Sequence, residues 1–322
     1  MQANLFMQTK KIVILGTGGT IAGKSGNASD NVAYVAAQVG VDQLVAAIPA
    51  LAGADNLLIE HVAQIDSKDM TFDVWAHLAA RVSYFLERDD VQGIVITHGT
   101  DTLEETAYFL QAVLSPAKPV VMTCAMRPAT SLAPDGPQNV MDAVAVATHD
   151  GACGVIVVCA GTIHSPFDVQ KIHTYRLDAF SSGDAGPIGL VEEGRPILWR
   201  NWPLAQSVRA FEAIKFIAHK ESGKSWPKVE IVMSHAGAGA MLVDALLAAG
   251  VQGLVVAATG NGSLHCALEA ALLAAQASGV QVVRASRCPN GRILRKADDL
   301  IADSNGLGAV KARIDLILRL LG

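Results

Sequence analysis

Short apolar runs that read as strands alternate with stretches of helical period along this chain, and that alternation is the signature of parallel α/β units. The candidate strands are Lys11–Leu15, Leu57–Ala63, Gly93–Thr97, Pro119–Cys124, Gly154–Cys159, Glu230–Ser234, Gly253–Ala258 and Val280–Ala285. Between the second and third, Thr71–Glu87 sets Val74, Trp75, Leu78, Ala79, Val82, Phe85 and Leu86 on one stripe, as a helix covering a sheet requires. Thr102–Leu114 and Asn139–Thr148 read similarly.

At 322 residues the chain has room for two domains. The strand-helix pattern breaks from about Pro196 to Lys228, where two Trp-Pro dipeptides and a Lys-Glu-Ser-Gly-Lys-Ser run interrupt any periodicity. Residues 1–200 are therefore expected to form an N-terminal α/β domain, 201–228 a linker and 229–322 a C-terminal α/β domain. In the last, helices are expected near 241–249, at 264–278 and over the amphipathic Ala309–Leu321.

Charged residues are 17% and hydrophobic ones 51%, the composition of a compact protein rather than a disordered one. The net charge of −5 comes with no cluster of lysines and arginines, which argues against nucleic acid and for a small-molecule ligand. No apolar run approaches the roughly 20 residues that span a bilayer, and Met1–Lys11 lacks the apolar core of a secretory signal. The chain is expected in the cytoplasm, or in the periplasm if a leader is removed. Five cysteines without metal-type spacing read as buried free thiols, and no histidine pair has ligand spacing. No metal is expected.

The stretch Ile12–Ser25 admits two incompatible chemistries. Gly18-x-x-x-x-Gly23-Lys24-Ser25 matches a phosphate-binding loop, whose lysine and backbone N–H groups cradle a nucleotide. Alternatively, Gly18 and Gly19 hold the Thr20 hydroxyl at the end of a strand, where it can act as a nucleophile. A phosphate loop needs a helix to start at the Gly-Lys-Ser. Gly26-Asn-Ala-Ser-Asp-Asn31 is turn-forming instead, and no buried strand ends in an aspartate for magnesium. A dinucleotide fingerprint fails because its third glycine would fall at Ile21.

Ligands of open parallel sheets bind at the carboxyl ends of strands, where Thr20, Thr100, Asp101, Lys171 and the turn Gln64–Met70 fall. A hydroxyl is a weak nucleophile until a base takes its proton, and a lysine serves if its surroundings lower its pKa. Each residue also has a duller explanation. Thr100 and Asp101 could cap the helix beginning near Thr102, Lys171 could be solvated surface, and Thr20 could be a turn residue.

Two stretches, Thr17-Gly-Gly-Thr-Ile-Ala22 and Ile96-Thr-His-Gly-Thr-Asp-Thr-Leu-Glu-Glu-Thr-Ala-Tyr-Phe-Leu110, closely resemble the two signatures of bacterial-type L-asparaginases, the asparaginase/glutaminase family. Ala125-Met-Arg-Pro128, Asp135-Gly-Pro137 and Gly260-Asn-Gly262 follow in family order, so the resemblance covers essentially the whole chain and argues against the nucleotide. It implies that Thr20 attacks the side-chain amide carbon, with Tyr34 on a lid closing over it. It further implies that Thr100, Asp101 and Lys171 activate nucleophile or water, and that Ser67 and Asp101 hold the substrate's α-carboxylate and α-ammonium. The implied reaction forms an acyl-threonine, releases ammonia, is completed by water and needs no cofactor.

The implied fold is a larger flavodoxin-like N-terminal domain and a smaller α/β C-terminal domain, assembled as a homotetramer of two tight dimers. Three positions depart from the pattern. Lys68 stands where many secreted members carry a substrate-touching glutamine. Ser263 occupies a position that is asparagine or serine among members and bears on glutamine acceptance. The neighbour-subunit glutamate has no counterpart, since Arg287–Asp303 offers only Asp298, Asp299 and Asp303. The expected activity is L-asparagine hydrolysis with some L-glutamine hydrolysis. A glutaminase-asparaginase and a non-catalytic amino-acid sensor are the competing expectations.

Overall fold

The computed structural model describes residues 10–203, 211–212, 214 and 225–322. The chain divides into two compact units, Met1–Ser207 and Val208–Gly322. Most of the expected linker and of the N-terminal Met1–Lys11 segment lies outside the described residues.

In the first unit the strands are β1 (Lys11–Gly18), β2 (Lys24–Ser25), β3 (Tyr34–Val35), β4 (Leu57–Ile65), β5 (Val91–Thr97), β6 (Pro119–Thr123), β7 (Gly154–Cys159), β8 (Thr162–His164), β9 (Gln170–Lys171), β10 (Phe180–Ser181), β11 (Gly189–Glu192) and β12 (Arg195–Leu198). Eight of them form one sheet in the order β12-β11-β8-β7-β6-β5-β1-β4. From β7 to β4 every pairing is parallel, and β8, β11 and β12 extend the sheet antiparallel. The parallel strands are apolar on both faces because helices cover both. Ile12, Ile14, Val95, Val121 and Ile156 pack with Val41, Leu44, Val140, Ala143 and Val146 of α1 (Val41–Ala46) and α4 (Gly136–Ala147). Alternate residues such as Val13, Leu15, Ile94 and Ile96 are equally buried on the other face. There α2 (Phe72–Leu86) and α3 (Leu103–Leu114) pack together, with Trp75 stacked on Phe109 at 4.9 Å between ring centres.

Local chemistry sets the boundaries. Thr71 caps α2 by accepting from the Val74 N–H, and Pro137 occupies the first turn of α4, where a missing N–H costs nothing. β12 runs into the stretch in which the pattern was expected to break from about Pro196, and moves the start of that break past Leu198. Pro196 is tolerated because β12 is the sheet's edge, with an unpaired side.

The second unit holds a parallel sheet in the order β13-β14-β15-β16, made of β13 (Val229–Met233), β14 (Gly253–Ala258), β15 (Gln281–Ser286) and β16 (Ala302–Asp303). Its helices include α5 (Met241–Ala248), α6 (Cys266–Ala277) and α7 (Ala309–Leu321). Val232, Leu254, Val256, Leu268, Leu272 and Val282 form its core. The two units are thus a larger, parallel-rich α/β domain and a smaller α/β domain.

The cysteine expectation needs correction. Cys124 and Cys159 are buried, but Cys153 is half-buried and Cys266 and Cys288 are exposed. Cys266 opens α6 on its outer side, where helical period rather than hydropathy decides exposure.

Candidate active site

Strand β1 runs past its apolar core into Gly18 and Gly19, whose φ values of +101° and +83° turn the chain sharply at the sheet's carboxyl edge. A Cβ on Gly19 would stand 2.3 Å from Gly99 Cα, so the loops leaving β1 and β5 are in backbone contact. Thr20 and Thr100 each follow that contact by one residue. Thr20 opens a single 3-10 turn, Thr20–Ala22, and is buried.

No helix follows the Gly-Lys-Ser. Lys24–Ser25 pairs antiparallel with Tyr34–Val35, a hairpin that returns the chain over Thr20. The Tyr34 hydroxyl lies 2.6 Å from Thr20 Oγ1. A Cβ at Gly23 would meet the Tyr34 ring at 2.9 Å, so that glycine is the seat of the ring. The 125–132 segment anchors the hairpin: the Ala129 N–H donates to Gly23 O, Ser25 N–H to Thr130 Oγ1, and Ser131 Oγ to Asn31 Oδ1. Asp135 fixes that segment by accepting the N–H groups of Met126 and Arg127, both at 2.9 Å.

Lys171 comes from β9, beyond the β7–β8 hairpin. Its Nζ donates to Thr100 Oγ1 at 2.7 Å and to Asp101 Oδ1 at 2.5 Å, and its side chain is 22% exposed. Glu104 in the first turn of α3 accepts the Lys171 N–H at 2.7 Å, holding the strand against the helix. The cap of α3 is Thr102, so Thr100 and Asp101 are not its caps. Thr102 Oγ1 instead donates to Ser67 O, while Ser67 Oγ accepts the Asp101 N–H at 3.1 Å, joining the turn after β4 to the β5 loop.

Beneath this loop His98 is fully buried. Its Nδ1–H donates to Gly99 O at 2.7 Å, since a carbonyl can only accept. Thr106 Oγ1 accepts from Trp75 Nε1 at 2.8 Å and so donates its proton to His98 Nε2 at 3.0 Å. Loss of hydration on burial pulls the imidazole pKa down to about 4, so the ring is a neutral strut. Sequence reasoning gave no role to His98, Glu104 or Thr106.

A family model described as "Asparaginase, N-terminal" matches residues 11–203, and one described as "Glutaminase/Asparaginase C-terminal domain" matches residues 228–321. The chain belongs to the asparaginase family. It is 40% identical over 290 residues to a glutaminase-asparaginase of Pseudomonas fluorescens biotype A, covering 89% of this chain and 78% of that one. It is 39% identical over 318 residues to L-asparaginase 2 of Escherichia coli (strain K12), covering 96% and 88%. A solved structure, a probable cytoplasmic L-asparaginase from Campylobacter jejuni, superposes with a TM-score of 0.89 at 34% identity, covering 97% and 95% of the two chains.

At the positions that depart from the asparaginase pattern, the structure gives local partners. Lys68 is exposed and pairs with Asp69 on its own turn, with Asp66 at 3.9 Å. The hydrogen bond that Lys68 donates to Asp69, then the charges of Asp69, Asp66 and Asp101, raise its pKa. In the second unit, exposed Ser263 closes the Gly260–Gly262 turn, its carbonyl accepting from the N–H and Oγ1 of Thr259. Asp299 pairs with Arg284 at 2.8 Å and Asp303 with Arg295 at 3.6 Å, while Asp298 is exposed. Among the described residues no helix is long and apolar enough to cross a membrane, and no cluster of three metal-binding side chains occurs.

Proposed function

We propose that this chain hydrolyses L-asparagine to L-aspartate and ammonia through an acyl-threonine on Thr20, with slower turnover of L-glutamine. The observation that carries the reading is a pair of hydroxyls, on loops in backbone contact, each with its own proton partner: Tyr34 for Thr20, and Lys171 with Asp101 for Thr100. Thr20 Oγ1 attacks the amide carbon as its proton passes by way of the Tyr34 hydroxyl, 2.6 Å away, to the amide nitrogen, and the C–N bond breaks to release ammonia. Thr100 orients the water that opens the ester, and the water's proton passes through Thr100 Oγ1 to Lys171 Nζ, 2.7 Å away.

Ser67 spends its acceptor on the Asp101 N–H, which leaves its hydroxyl proton for the substrate's α-carboxylate. Asp101 takes the α-ammonium. Lys68 adds positive potential at the rim on the carboxylate side, and Ser263 tunes acceptance of the longer amide. No cofactor is required. We infer a homotetramer of two tight dimers and a cytoplasmic site of action; the relatives also include a probable periplasmic L-asparaginase of Haemophilus influenzae.

Ammonia release from asparagine and glutamine, measured side by side, tests the reading. Asparagine is expected to have the higher kcat/KM. A higher value for glutamine makes the chain a glutaminase, and binding without ammonia makes it a sensor. The contact between Lys171 and Thr100 favours one rival mechanism, in which Thr100 carries the acyl group. Acid quenching during turnover, followed by peptide mass mapping, distinguishes the two: the acyl mass on the Thr20 peptide supports this mechanism, and on the Thr100 peptide overturns it.

A further inference from the structure

We propose that Cys124 and Cys159 are a modification site: two thiols that close to a cross-strand disulfide when the chain folds under oxidising conditions. Cys124 directly follows β6 and Cys159 ends β7, and the parallel register pairing Thr123 with Val158 makes these two cysteines the next facing pair. Both are free thiols, 1% and 4% exposed, with their sulfurs 2.9 Å apart. Neighbouring strands lie about 4.8 Å apart, inside the range of about 4.4–6.8 Å between Cα atoms that a disulfide spans. The two sulfurs need to close only to about 2.04 Å.

The surrounding structure holds the two strand ends for this bond. Asn139 clamps them, its Nδ2 donating to Cys124 O at 2.9 Å and its Oδ1 accepting from Ala160 N–H at 3.0 Å. Thr123 Oγ1 donates across the same pair of strands to Val158 O at 2.8 Å. None of these groups belongs to the proposed catalytic set.

In the closed fold the pair is slow to react, because exchange needs a thiolate and burial pushes the Cys124 thiol well up. Bond formation therefore belongs to the folding chain, where the thiols still meet solvent. One cysteine thiolate attacks glutathione disulfide, giving a mixed disulfide and one glutathione thiolate. The second cysteine thiolate then displaces the other glutathione, so that two cysteine thiols are oxidised, one glutathione disulfide is reduced to two thiols, and the two protons given up by the cysteines end on glutathione.

The test is refolding of the whole reduced chain with glutathione disulfide, then a native wash with dithiothreitol to strip exposed Cys266 and Cys288. Thiols titrated in denaturant are expected to fall from five to three, with the Cys124 and Cys159 peptides linked. Closing a loop that joins positions 35 apart should raise Tm by several degrees over the dithiol form. Cys159→Ala should lose both the link and the Tm rise. Recovery of native, enzymatically active protein with Cys124 and Cys159 both free to alkylation, or linked to other cysteines, overturns the proposal. A Tm rise that persists in Cys159→Ala overturns it as well.

Discussion

Acidification should weaken this fold in part through one buried side chain. His98 is buried as a neutral ring with a pKa of about 4, against an ordinary 6.5, so the unfolded chain binds a proton that the folded chain resists. Stability is complete above the unfolded value and is lost as pH falls from about 6.5 toward 4. Each unit of difference is about 1.36 kcal/mol, so roughly 3 kcal/mol disappears across that window. The assay is urea unfolding at pH 7 and pH 4, followed by tryptophan fluorescence, which reports on the His98 network because Trp75 donates to Thr106. His98→Asn keeps a neutral donor near Gly99 O but removes the titrating ring. Although less stable throughout, it should lose about 3 kcal/mol less than the parent between the two pH values. Carboxylates such as Asp90, held down to about 2 by Arg88, titrate alike in both proteins and cancel. Equal losses in parent and variant would refute the assignment of His98 as the acid-sensitive strut.

Thr20→Ala should lower turnover by roughly 10³-fold or more while leaving aspartate binding intact in calorimetry, as other nucleophile deletions do. Lys171→Met should cost about 10²–10⁴-fold in kcat, the range for a general acid-base group, and steady-state kinetics that retain parental kcat would make Lys171 structural. For Lys68→Gln the expected change is a rise in KM below about fivefold with kcat unchanged, because an exposed charge at the rim, already paired with Asp69, is screened by solvent. A tenfold KM rise in that variant would mean that Lys68 touches substrate directly.

The strands that lie wholly within the apolar sheet were legible in the sequence, because burial on two faces leaves continuous runs such as Ile94–Ile96 and Val155–Val158. Runs of two to four residues, including β2, β3 and β8 to β12, carry no such signal. They are too short to show a period, although most pair with a near neighbour across a turn. A limit of distance governs the site. Thr20, Thr100 and Lys171 could be singled out as hydroxyls and an amine past strand ends, yet nothing local to Lys171 says that its Nζ reaches a loop 71 positions earlier. His98 escaped because a lone buried histidine has no spacing signature. Its meaning lies in Thr106 and Trp75, which the packing of α2 on α3 brings beneath it. For Tyr34 the motif resemblance supplied the role, and the hairpin and Gly23 supplied the reason.

The glycines that mimic a phosphate loop explain why two chemistries could be read from one stretch. Anion binding and nucleophile presentation both require backbone that approaches something closely, so both select glycine, and only what is approached distinguishes them. Here Gly19 meets Gly99 backbone and Gly23 meets the Tyr34 ring, each closer than any side chain would allow. These glycines therefore fix separations between the groups proposed to react: Gly19 sets the Thr20 loop against the Thr100 loop, and Gly23 sets Tyr34 against Thr20. In the proposed mechanism, hydroxyls held in this way need no reorganisation at the moment of attack, which is where positioning contributes most to rate. The helix of a true phosphate loop would have carried the chain away from Thr20. The polar turn Gly26–Asn31 sends it back instead, and that reversal delivers the Tyr34 hydroxyl to Thr20.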